Sequence, residues 1–75
     1  MDLHYLRIFY EVATERSFTK AANKLFINQS AVSIQVKKFE DMLNTKLFDR
    51  TSKKIELTYS GEVLFKVAEE IFQKV

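Results

Sequence analysis

The 75-residue chain has no cysteine, no proline and no tryptophan, and only one glycine and one histidine. Without cysteine there is no disulfide or thiolate metal site to supplement a small core. His4 stands alone, with no second histidine or cysteine to complete a zinc site, so neither metal nor cofactor is expected. The lack of proline and near lack of glycine point to helices joined by tight connections. No apolar run approaches the ~18 residues of a membrane span. The start, Met1-Asp2-Leu3-His4, lacks the basic and apolar regions of a signal peptide, so the expected location is the cytoplasm, away from membranes. There is no cysteine nucleophile, no glycine-rich phosphate loop and no histidine paired with an acid at a useful spacing. These absences count most heavily against an enzyme.

What is present is a core and an uneven charge. Seven Phe, three Tyr and a 47% hydrophobic content argue against disorder. A domain of this size buries about 60% of its unfolded surface, so the helices must pack well or a partner chain must share the burden. The net charge is only +2. Residues 1–16 carry −1, residues 17–54 carry +5 and residues 55–75 carry −2. A basic middle between acidic ends fits a face for a polyanion, or a solvated lysine-rich surface.

Periodicity divides the chain into elements. Leu3, Leu6, Phe9, Tyr10 and Ala13 have helical spacing with one face turned inward. Ser17 is placed to cap a second short helix that buries Phe18, Ala21, Ala22 and Leu25. Asn28 is placed to cap a third, running to about Asn44. At 100° per residue its Val32, Val36, Phe39 and Leu43 face the core. Ser30, Ile34, Lys37 and Asp41 face away, with Ser33 on the shoulder. Ile34 is a lone apolar group there, suited to touch a thymine methyl. Phe48-Asp49-Arg50 and Ile55-Glu56-Leu57 alternate as half-buried strands do, giving a hairpin with a basic tip at Lys53 and Lys54. Thr58 caps a last helix from Tyr59 to Val75, in which Gly61 weakens the first turn slightly. Leu64, Ala68, Ile71 and Val75 form one stripe of that helix. Val63 and Val67 widen it, and Phe65 and Phe72 lie on another flank. That is more apolar surface than one small domain covers.

Two short helices joined by Phe26, Ile27 and Asn28 have the form of a helix-turn-helix. Such a unit offers the start of its second helix to the DNA major groove. Ala21 and Ala22 supply the small residues of the helix crossing, and Asn28-Gln29-Ser30 the capped polar edge. A winged helix used only for protein contact is the rival class; a mostly acidic or apolar third-helix face would favour it.

The run Ser17-Phe18-Thr19-Lys20-Ala21-Ala22, then Leu25, Gln29-Ser30-Ala31-Val32-Ser33, Gln35-Val36 and Phe39-Glu40 resembles the LysR-type transcriptional regulators. So do Leu47-Phe48-Asp49-Arg50 and Leu57-Thr58-Tyr59-Ser60-Gly61. The resemblance covers the whole chain. It implies a mainly α winged helix-turn-helix, a three-helix core with a short β-hairpin wing, over residues 1–58. A linker helix over 59–75 would pair two subunits. It further implies sequence-specific binding of double-stranded DNA by a bacterial regulator, as a homodimer at an inverted repeat, with tetramers open to the intact protein. A small-molecule effector would act through a C-terminal domain absent from this chain. The chain departs from the family pattern at Ser30, where proline is usual, and at Ile34, where arginine is frequent. Phe26 stands where many helix-turn-helix proteins have glycine.

The expected DNA-binding residues are Gln29, Ser30, Ser33, Ile34, Lys37, Arg50, Lys53 and Lys54. Gln29 suits a base edge or a phosphate, the short hydroxyl of Ser33 allows close approach to the groove, and Lys37 suits phosphate more than base. The two lysines at the tip suit the backbone or minor groove. Arg50 has two readings, a DNA contact or a pair with Glu40 that locks the wing to the third helix. The expected dimerisation residues are Val63, Leu64, Val67, Ala68, Ile71, Phe72 and Val75.

Overall fold

Three of the four helices begin where the sequence supplies a capping side chain. In the computed structural model, which describes residues 3–51 and 53–73, four helices surround one core and a two-stranded hairpin closes its side. Helix α1 spans Leu3–Glu15, α2 Phe18–Leu25 and α3 Gln29–Leu43. Strands β1 (Phe48–Asp49) and β2 (Glu56–Leu57) pair antiparallel, with Phe48 opposite Leu57 and Asp49 opposite Glu56. Helix α4 follows at Tyr59–Gln73.

The caps match the expected positions. Ser17 Oγ accepts from the Lys20 amide at 3.0 Å, and Asn28 Oδ1 accepts from the Ala31 amide at 2.8 Å. Thr58 Oγ1 accepts from the Gly61 amide at 3.0 Å and donates to the Lys46 carbonyl at 2.6 Å. Each satisfies an amide that the helix start leaves without a partner. The other ends are less ordinary. Arg16, Phe26 and Asn44 all take left-handed backbone, with φ of 53°, 60° and 51°. At Phe26 the chain turns through amides donated to Asn23 and Ala22 carbonyls, the pattern glycine usually completes.

The core comprises Leu6, Ile8, Phe9, Val12, Ala21, Ala22, Val32, Val36, Phe39, Leu47, Phe48 and Ala68. Ile8 and Val12 lie outside the single inward face read for α1. They are buried because α1 touches α2, α3 and α4 and so hides a wide arc. Two expected inward residues are not inside: Leu3 is exposed at the start of α1, and Leu43 is 42% exposed in the last turn of α3. Helical phase places Leu43 in line with Phe39. But Leu43 is followed at once by the left-handed Asn44, where the chain turns away.

Gly61 is a second correction. A Cβ at this position would collide with the Leu47 carbonyl oxygen and lie 3.0 Å from Leu57 Cδ2. Leu47 is held there by its own carbonyl, which accepts from the Thr58 amide at 3.0 Å. The glycine lets α4 dock against the loop before the hairpin instead of merely weakening a turn.

Helix α4 also divides its apolar residues differently from the expected stripe. Gly61 and Ala68 are buried, and Leu64, Phe65 and Phe72 pack partly against the core. Tyr10 stacks on Phe65 at 5.5 Å, and the Arg7 guanidinium lies 4.0 Å from the centre of the Phe72 ring. Ala68 therefore belongs to the protomer's own core and has no surface to offer a partner. Val63, Val67 and Ile71 stay open at 49%, 48% and 38% exposure. Val75 lies outside the described residues.

Polar contacts fix α1 to α2. Glu11 is buried, and its carboxylate meets Lys24 at 3.0 Å and Arg7 at 3.3 Å. The hydrogen bond and charge of Glu11 raise the Lys24 pKa above its ordinary value. No described helix is long and apolar enough to cross a membrane.

Candidate nucleic-acid interface

The turn between α2 and α3 aims the start of α3 outward. Because Asn28 caps through its side chain, the first turn of α3 projects Gln29 and Ser30 into solvent without frayed amides. Ser33 is half-buried on the shoulder, and Gln29 Nε2 donates to its Oγ at 3.3 Å. That bond restrains the amide while leaving Gln29 one N–H and its carbonyl oxygen, a donor beside an acceptor. Ile34 and Lys37 are exposed further along the same face. Lys37 sits 3.8 Å from Asp41 in an exposed pair of i,i+4 spacing. Such a pair contributes little and gives way readily to a phosphate.

The wing is moored from beneath by Glu40. This carboxylate is buried, and its Oε2 accepts from the Leu47 amide at 2.7 Å and the Phe48 amide at 3.2 Å. Its Oε1 lies 3.7 Å from Arg50, whose guanidinium also sits 5.1 Å above the Phe18 ring. Of the two readings of Arg50, the geometry therefore supplies the lock between wing and α3. The double amide contact of Glu40 is beyond what the sequence reading foresaw. Its signal was a charge at the edge of the apolar arc of Val36 and Phe39.

At the hairpin, Asp49 Oδ1 accepts from the Thr51 hydroxyl at 2.6 Å and amide at 3.0 Å. Those bonds hold the Asp49 carboxyl below its ordinary pKa. They shape the turn that carries exposed Lys53 and Lys54. The structure thus brings Gln29, Ser30, Ser33, Ile34 and Lys37 onto one helix face. Arg50 is on the wing's base and the two lysines are on its far turn. Among the described residues, no group of three or more His, Asp or Glu side chains is arranged to hold a metal.

Residues 3–62 match the family described as "Bacterial regulatory helix-turn-helix protein, lysR family". The chain belongs to the LysR family. It is 49% identical over 69 residues to a protein of Cyanidioschyzon merolae named "Probable RuBisCO transcriptional regulator". That match covers 92% of this chain and 23% of the relative. It is 46% identical over 68 residues to the transcriptional regulator BudR of Klebsiella aerogenes, covering 91% of this chain and 48% of BudR. The chain therefore spans less than half the length of these relatives. Among solved structures, BenM_DBD in complex with benA site 1 DNA superposes with a TM-score of 0.92 at 36% identity. That superposition covers 99% of this chain and 83% of BenM_DBD. DarR of Vibrio fischeri, also solved in complex with DNA, gives 0.87 at 31% identity, over 99% of this chain and 25% of DarR. The LysR-family assignment places the chain among transcriptional regulators and not among enzymes.

Proposed function

We propose that this LysR-family chain binds double-stranded DNA sequence-specifically, as a homodimer at an inverted repeat, and is the DNA-binding end of a cytoplasmic transcription regulator. The observation that carries the reading is the capped, outward start of α3, where Gln29, Ser30, Ser33 and Ile34 share a face with Lys37. That face is polar to basic, which suits base edges and phosphates better than a protein partner. The DNA complexes of BenM_DBD and DarR, close in fold and above 30% identity, favour the same occupant.

In this reading residues 1–58 form the DNA-binding unit and 59–75 the linker helix. Gln29, Ser30, Ser33 and Ile34 address base edges in the major groove. Lys37 neutralises phosphate, and Lys53 and Lys54 follow the backbone or minor groove at the site's flank. Arg50 reaches phosphate while remaining tied to Glu40. An effector would act through the part of the relatives' length that this chain does not span.

Selection of bound duplexes from a random pool, followed by titration of single-base variants, tests the assignment. Gln29→Ala should lose discrimination at one base pair per half-site, by about 1–3 kcal/mol, with other positions unaffected. Uniform weakening across the variants, or none, would refute base reading by Gln29.

A further inference from the structure

One residue on the outward face of α3 is chemically out of place. Ser30, Lys37, Lys38 and Asp41 are exposed around it, yet Ile34 is aliphatic and 54% exposed. It lies opposite the buried stripe of Val32, Val36 and Phe39, so no rearrangement within the protomer covers it. A single exposed aliphatic residue is ordinary on a protein surface. Its place is what distinguishes this one: it stands one turn after Ser30 and beside the Gln29–Ser33 pair.

The major-groove edges of the bases present nitrogen and oxygen groups with one apolar exception, the C5 methyl of thymine. Pressing a branched aliphatic side chain onto the amino group of cytosine would strip that group of water and return no hydrogen bond. The same contact with a thymine methyl removes apolar surface from water on both sides. Resting on the DNA-binding reading above, we infer that Ile34 is a specificity-determining residue that reads a thymine methyl group. Ile34 lies five positions past Gln29, about 7.5 Å along the helix axis at ~1.5 Å per residue. With α3 lying along the groove and base pairs ~3.4 Å apart, this thymine belongs to a different base pair from the one Gln29 addresses.

Deoxyuridine in place of thymidine deletes the methyl and keeps every hydrogen-bonding group, so it isolates the contact. Starting from a duplex selected by the 75-residue chain, each thymidine is replaced singly and affinity is titrated at fixed salt. At one thymidine of each half-site, the replacement should weaken binding about three- to five-fold, the effect of one buried methyl. Cytosine at that position should bind poorly, and 5-methylcytosine should recover a similar factor. In Ile34→Ala, thymidine and deoxyuridine should bind alike there, while the base pair read by Gln29 is still discriminated. Insensitivity of the unmodified chain to every deoxyuridine would overturn the inference. So would a lack of recovery with 5-methylcytosine, or methyl sensitivity that persists in Ile34→Ala. A chain that selects no sequence from the pool would instead overturn the DNA-binding reading itself.

Discussion

Glu40 shows how one buried side chain connects the reading helix to the wing. Its carboxylate accepts from the amides of Leu47 and Phe48 and pairs with the Arg50 charge, so two hydrogen bonds and one ion pair depend on one acidic group. Buried carboxylates are costly unless fully paired, and this one is engaged at both oxygens. Glu40→Gln keeps one oxygen for the two amides, but that oxygen is a weaker, uncharged acceptor, and the new NH2 group is turned toward the Arg50 guanidinium, which loses its counter-charge. Unfolding in urea at fixed protein concentration should show a loss of about 1–3 kcal/mol. The wing should loosen with it, visible as faster hydrogen exchange at the Leu47 and Phe48 amides than at amides inside α1. Unchanged stability and exchange would mean that the strands are held by their own packing.

At the scale of elements, two positions reverse the usual rule for glycine. Phe26 takes left-handed backbone at φ 60° while its ring is 94% exposed, so it bears a conformational cost with no packing in return. Phe26→Gly should therefore stabilise the fold by about 1 kcal/mol. Gly61 is within a helix, where alanine ordinarily gains about 1 kcal/mol. Here Gly61→Ala should instead destabilise by about 1–3 kcal/mol, because the Leu47 carbonyl occupies the space. Thermal melts of the two variants should move in opposite directions, by about 4–8 °C per kcal/mol. The contrast marks where the sequence was legible. Ser17, Asn28 and Thr58 could be read as caps because a cap acts within three residues of itself. Gly61 could not, because its reason is a carbonyl fourteen positions earlier in the chain. Ile8 and Val12 were missed likewise: their burial depends on how many neighbours α1 has, which periodicity does not report. The outward face of α3 was readable because its polar residues follow helical phase directly. The tie from Glu40 to the wing crosses between elements and was only half visible, through its pairing with Arg50.

For the whole molecule, the open question is what covers α4. The core takes Gly61, Leu64, Phe65, Ala68 and Phe72, and the adjoining arc of Val63, Val67 and Ile71 is left in solvent. These three recur at spacings of four, one of the ridges by which helices pack on each other. A second copy laid across the arc by a two-fold axis would bury the same residues from both chains. It would also add apolar burial to a domain whose size leaves it marginal. Two recognition helices related by that axis would suit an inverted repeat whose half-sites lie one DNA turn of ~34–36 Å, or a multiple, apart. Ile71→Lys sets a charge in the seam without touching the core that Ala68 and Phe72 complete. In sedimentation equilibrium at micromolar concentration, the unmodified chain should be dimeric and the variant monomeric. The variant should keep its helical circular dichroism and bind an isolated half-site normally. Its affinity for the full inverted repeat should fall far more, because the second half-site no longer binds as part of the same particle. An unmodified chain that sediments as a monomer and still binds the inverted repeat tightly would mean that α4 does not pair these subunits.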